Sequence, residues 1–155
     1  AALGASPVGK SMRECYQMLQ KGVVDGSSHP VEANKGWKLG EVVGYLTENY
    51  STAYTTTFAV FMNKSKWAKL TPAQQKTIKE INAEFAAKHG EAWDDADKAG
   101  LEFFKSKGGK VVSQSDAEAQ KWEAAVQSVV DSYIKKADAK GVDGKAVVDF
   151  IKTNM

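Results

Sequence analysis

Apolar and polar positions divide the chain into helices separated by short extended segments. Cys15, Met18 and Leu19, with Tyr16 beside them, make one stripe at helical spacing between Ser11 and Lys21. Ser11 and Glu14 stand three apart, the spacing at which a capping serine and a returning carboxylate satisfy free N–H groups at a helix start. Gly22 follows where a left-handed backbone is wanted, and Val23-Val24 predicts a short strand ended by Asp25-Gly26. The polar loop Ser27-Ser28-His29-Pro30 then falls beyond the end of that strand, where α/β proteins place ligands. From Val31 to Tyr45 the pattern is helical but broken by Gly36, Gly40 and Gly44. It predicts two short helices or one interrupted helix, with Pro30 in the first helical position. β-Branched and aromatic residues dominate next, predicting a strand from about Ala53 to Met62 and an earlier piece near Val43 to Thr47.

Helical signals return at Thr71-Pro72-Ala73-Gln74, a capping box with proline at the first helical position. Ile78, Ile81, Phe85, His89, Ala92, Ala96 and Phe103 keep to one face, and the pattern runs from Pro72 to about Lys107. An unbroken helix of that length would be roughly 50 Å long. A compact domain of this size is only about 40 Å across. The helix therefore either bends at Gly90 or overhangs its own domain. Gly108-Gly109 stops it, and Lys110 to Ser113 predicts a strand. A third capping box at Ser115 and Glu118 opens a helix with Trp122, Val126, Val129, Val130, Tyr133 and Ile134 on its apolar side. Gly141 and Gly144 break that helix, and Gly144 to Asn154 predicts one more.

Composition narrows the function classes. A chain of 155 residues, 43% hydrophobic and 26% charged, is long enough for a globular domain with a real core. Its 21 basic and 19 acidic residues are mixed along the chain, which argues against a nucleic-acid partner. The single cysteine, Cys15, excludes an internal disulfide and a cysteine-based zinc cluster, and its place on the apolar stripe predicts a small buried group. There is no run of about 18 apolar residues. Ala1 to Gly9 lacks the features of a secretory signal and reads as the end of a helix or a turn into a new element, so the chain is expected to be a piece of something longer.

Catalytic chemistry is sparse. The only histidines are His29 and His89, and no HExxH, nucleophile elbow, P-loop or GxGxxG occurs. Asp94, Asp95 and Asp97 are splayed by their spacing and predict a solvated helix face, not a metal cage. Asp25 lacks a visible partner for general-base work. The residues point away from an enzyme, and no cofactor is implied. Trp37 is either a core anchor or a ring lining a cleft, and the hydroxyls of Tyr54 to Thr57 belong to an exposed edge or a polar cleft.

Against that background, the run from Leu3 to Pro30 resembles the middle of the substrate-binding proteins of tripartite ATP-independent periplasmic (TRAP) transporters, the DctP-type family. The likeness rests on Leu3-Gly4-Ala5 with Pro7, then Glu14, Tyr16, Leu19, Gln20 and Gly22, then Val23-Val24-Asp25-Gly26. Lys38 to Tyr45, Met62-Asn63, Trp67 with Leu70, the long helix, and Gly109 to Val111 follow in order, so the resemblance spans essentially the whole chain. It implies an α/β fold: the C-terminal portion of a two-lobed periplasmic binding protein, helix-rich with a few strands and one long lobe-spanning helix. Over residues 1–155 it implies one lobe plus elements that complete the other.

The resemblance further implies a periplasmic receptor that captures a small organic acid by hinge closure and delivers it to a membrane permease. The alternative is a small α/β interaction domain with no small-molecule ligand. The family's carboxylate-pairing arginine falls on the strand before Ala1, and Arg13 does not replace it. Two family ligand-contact positions fall inside the chain: a commonly aromatic one at Met12 and a commonly asparagine one at His29. Trp37, Tyr54 and Thr56 are further candidates for lining a cleft. A severed half is also expected to expose apolar surface and to dimerise or swap elements.

Overall fold

A computed structural model describes residues 1–52 and 58–154. Its elements in order are helices α1 (Met12–Gln20) and α2 (Ala33–Gly36), a 3₁₀ turn (Leu39–Glu41), strand β1 (Tyr45–Glu48), helices α3 (Lys64–Trp67) and α4 (Pro72–Ser106), strand β2 (Lys110–Ser113), and helices α5 (Asp116–Asp138) and α6 (Gly144–Asn154). The chain is helix-rich with one two-stranded sheet, β1 beside β2, among the described residues. Lys110 N–H donates to the Gly44 carbonyl at one end. Ser113 Oγ donates to Glu48 Oε2 at the other, so the strands run parallel. The described residues form two compact units, one of residues 10–46 with 58–111 and one of residues 1–9, 47–52 and 112–154.

In the first unit, α1 begins as its sequence predicts. Ser11 N–H and Ser11 Oγ both donate to Glu14 Oε2, at 3.3 and 2.9 Å. These bonds, with Lys10 nearby, hold the Glu14 carboxyl below its ordinary range. The helix ends in a Schellman motif: Gly22 at φ 64° donates to Leu19, and Val23 N–H donates to Met18 at 2.8 Å. That closure turns the chain back, so Val23-Val24 forms a bend with Val23 exposed, not the expected strand. Pro30 also differs from expectation. It lies in the turn before α2, its carbonyl accepting from Ala33 N–H at 3.0 Å, and the helix starts three residues later.

The long helix α4 is continuous over 35 residues, through both Gly90 and Gly100. Thr71 N–H donates to Gln74 Oε1 at 2.9 Å, and Gln74 N–H donates to Thr71 Oγ1 at 3.3 Å, completing the capping box. Gly108 at φ 83° closes the far end with a second Schellman motif onto Phe104 and Lys105. The core of the unit sits there. Phe104, Leu39 and Ala33 are fully buried, and α2 with the 3₁₀ turn lies on the C-terminal third of α4. Gly100 permits this approach: a Cβ on it would stand 2.8 Å from Glu32 Cα and closer still to the Val31 carbonyl oxygen. Asp97 Oδ1 accepts from Glu32 N–H at 2.8 Å and satisfies one of the free donors before α2. Asp97 is thus a half-buried anchor, where its spacing had suggested a solvated face. Upstream, the predicted apolar stripe is open: Ile81, Phe85 and His89 are exposed, and only Gly100 and Phe104 of α4 are buried. Phe58 stacks on Trp93 with ring centroids 4.6 Å apart, and Trp93 Nε1 donates to His89 Nε2 at 3.0 Å.

Of the strand expected over Ala53 to Met62, residues 53–57 lie outside the described residues, and 58–62 are not a strand. Among the described residues they have no pairing partner, and Val60 and Phe61 are almost fully exposed.

In the second unit, Ser115 Oγ accepts from Glu118 N–H at 3.3 Å, which starts α5. The reciprocal half of the expected box is replaced, because Glu118 accepts from Lys121 Nζ and Trp122 Nε1 instead. Helix α6 packs back on α5, with Gly144 Cα against Ile134 and Gly144 N–H donating to Asp138 Oδ1 at 2.9 Å. No residue of α5 is fully buried, and Val129, Tyr133 and Phe150 are exposed.

Candidate functional site

The polar chemistry of the first unit gathers on the segment after α1. The Schellman turn and the Asp25-Gly26 bend bring Ser27 back over α1, where its Oγ lies 3.2 Å from Cys15 Sγ. His29 follows, with Nδ1 3.0 Å from the same Ser27 Oγ on the exposed side of the ring. Its other nitrogen, Nε2, is enclosed and lacks a hydrogen-bond partner among the described residues. Asn34, the first polar residue inside α2, is fully buried. Asn34 Nδ2 donates to the Val31 carbonyl at 3.0 Å, whereas Asn34 Oδ1 is enclosed without a partner among the described residues. Cys15, half-buried and hydrogen-bonded, is not the plain apolar filler its place in the stripe suggested.

Burial pushes the His29 pKa below its ordinary value of 6.5, opposed by the Asn34 side chain. The consequence for stability has a definite sign. Below pH 6.5 the unfolded chain takes up a proton that the folded ring resists, so stability is full above 6.5 and declines as pH falls from there toward the folded pKa. Replacing His29 with glutamine is expected to flatten the dependence of the urea midpoint over that window. An unchanged slope would show that the ring is not responsible. Glu32 works in the opposite sense nearer pH 4.5: burial and the Asp97 carboxylate raise its pKa, so acid stabilises its neutral folded form.

The other expected site residues are scattered. Met12 is half-buried at the first position of α1. Trp37 caps the end of α2 and is 41% exposed, so it is not a core anchor of this unit. Tyr54 and Thr56 lie outside the described residues. Asp25 is exposed, and no cluster of metal-ligating side chains occurs among the described residues. Two shallow grooves are present, one of about 320 Å³ along Tyr133, Lys136 and Val142 and one of about 350 Å³ along Leu70, Thr77 and Ile78. Neither includes His29. The sequence placed Ser27 in a polar loop and Asp97 on a solvated helix face without giving either a partner, and it did not single out Asn34, because such residues in a turn or on a helix read as turn or surface chemistry.

Residues 1–136 match the family of bacterial extracellular solute-binding proteins, family 7, also called DctP. The chain belongs to this family. The C4-dicarboxylate-binding periplasmic protein DctP of Rhodobacter capsulatus is 32% identical over 144 residues, 91% of this chain and 42% of that protein. A TRAP periplasmic solute-binding protein from Desulfovibrio salexigens superposes with a TM-score of 0.82 at 31% identity, over 98% of this chain and 47% of its own. One from Bordetella bronchiseptica, solved with bound (R)- and (S)-mandelate, gives a TM-score of 0.77 at 28% identity, over 94% of this chain and 46% of its own. The chain therefore spans about half the length of the relatives it matches. The α/β, helix-rich architecture with few strands is that of these TRAP-type proteins, and the family comprises solute-binding proteins, not enzymes.

Proposed function

We propose that the chain is the C-terminal part of a periplasmic receptor that binds a small organic acid and delivers it to TRAP permease subunits. The observation that carries this reading is the family match over residues 1–136, joined to a half-buried, hydrogen-bonded histidine on the loop after α1. Relatives bind a C4-dicarboxylate and mandelate, so a carboxylate ligand is the parsimonious class. The small interaction domain without a ligand explains neither the match nor the ordered polar loop.

In this reading residues 1–155 comprise one lobe and elements that complete the other, and Met12, His29 and Trp37 face the ligand, with Tyr54 and Thr56 as further contacts. The exposed Ile81, Phe85, Phe58 and Phe61 become contact surface for the remainder of the receptor, or for a second copy when that remainder is absent. His29→Ala in the full-length receptor is expected to weaken acid binding by about tenfold, the worth of one hydrogen bond in a desolvated site. Titration calorimetry reads this directly, and equal affinities of wild type and variant would remove His29 from the site.

A further inference from the structure

The segment that carries His29 is loosely tied to its unit. The turn after α1 ends with the Val23 and Val24 N–H groups on the Met18 carbonyl, and the next backbone hydrogen bond is at Pro30, whose carbonyl accepts from Ala33. Among the described residues, 25–29 make no backbone hydrogen bond and belong to no helix or strand. Such a stretch keeps its conformational freedom unless side chains fix it. One group does so from both sides. Ser27 Oγ lies 3.2 Å from Cys15 Sγ on α1 and 3.0 Å from His29 Nδ1. His29 Nε2 has no partner among the described residues, so Ser27 supplies the one hydrogen bond that the ring makes there.

A hydroxyl carries one proton and also accepts, so this bridge closes in two orders. With the ring proton on Nε2, the Cys15 thiol donates to Ser27 and the Ser27 hydroxyl donates to Nδ1. With the proton on Nδ1, the ring donates to Ser27 and the hydroxyl donates to the sulfur. Both orders keep the ring on the same partner, so the tie holds for either tautomer.

From these contacts we infer that Ser27 is a positioning residue for ligand binding: its hydroxyl, anchored on Cys15 of α1, holds the His29 ring in place. This rests on the receptor reading above, in which His29 faces the ligand. Cys15 acts one step further back, through Ser27. The thiol therefore matters only while the Ser27 hydroxyl is present.

The test uses the full-length receptor and has two arms. In the ligand-free protein, NMR couplings between the His29 α and β protons read the side-chain rotamer. They should be unequal in wild type and Ser27→Thr, which keeps the hydroxyl, and averaged in Ser27→Ala. Ser27 is exposed, so these variants are expected to fold. In the second arm, mandelate and succinate are titrated calorimetrically. For whichever acid binds, Ser27→Ala should weaken affinity about three- to tenfold, and Ser27→Thr should stay within about twofold of wild type. Cys15→Ala should weaken binding in the wild-type background and have no effect in the Ser27→Ala background. Averaged couplings in wild type overturn the inference, as does a Ser27→Ala variant with unchanged couplings or unchanged affinity. A Ser27→Thr variant as weak as Ser27→Ala, or additive losses at Cys15 and Ser27, overturns it as well. A receptor that binds neither acid counts against the receptor reading, while the His29 couplings still decide whether Ser27 holds the ring.

Discussion

Truncating Phe104 to alanine is expected to destabilise the protein by about 3–5 kcal/mol, the range for deleting a fully buried aromatic ring. Phe104 is the largest side chain with no solvent exposure, and it is the point where α4, the 3₁₀ turn and the start of β2 meet. Gly109 lies flush on its ring and Gly40 against its backbone, so neither neighbour carries a side chain that could swing in to fill the hole. The cavity should stay open, which places the cost toward the upper end of that range. Chemical denaturation of wild type and variant gives the difference. A loss below about 1 kcal/mol would mean that the site collapses or that Phe104 is not the centre of this core.

The second large effect is at Gly100. Alanine there favours helix on intrinsic grounds, by roughly 1 kcal/mol over glycine, so an open helix face would gain stability from the change. Here the added methyl would run into the backbone of Val31 and Glu32, which cannot rotate away as a side chain could. The expected result is a net loss of about 1–3 kcal/mol, with the α2 segment displaced from α4. Because Glu32 N–H bonds to Asp97 across the same contact, displacement should also break that bond and return the raised Glu32 pKa toward its ordinary value. Carbon NMR of the Glu32 carboxyl in Gly100→Ala checks both statements. A variant more stable than wild type would show that α2 does not press on Gly100.

The elements marked by local chemistry were legible in the sequence. Ser11 with Glu14, Thr71 with Gln74, and Gly22 and Gly108 fixed helix ends by contacts within a few residues, and each stands where its spacing predicts. Strand β2 and helix α6 also occupy their predicted residues. Expectations that relied on tertiary partners fared differently. Val23-Val24 has β-branched character but no neighbouring strand among the described residues, so propensity lost to the Schellman turn. The stripe of α4 through Ile81 and Phe85 has helical period, yet nothing among the described residues covers it. Only the last third, where Gly100 allows α2 to approach, forms a core. His29 was legible through family resemblance and loop position. Asn34 was not, because its full burial comes from the packing of α2 on α4, and no spacing rule encodes that.

The central claim is that this chain belongs to a receptor for a small organic acid. Its most direct test is titration calorimetry of the full-length receptor against a panel of aromatic hydroxy acids, plain aromatic acids and C4-dicarboxylates. The account predicts saturable one-to-one binding of at least one acid, weakened about tenfold by His29→Ala. No heat of binding across the panel, with the receptor folded and monomeric, would contradict it.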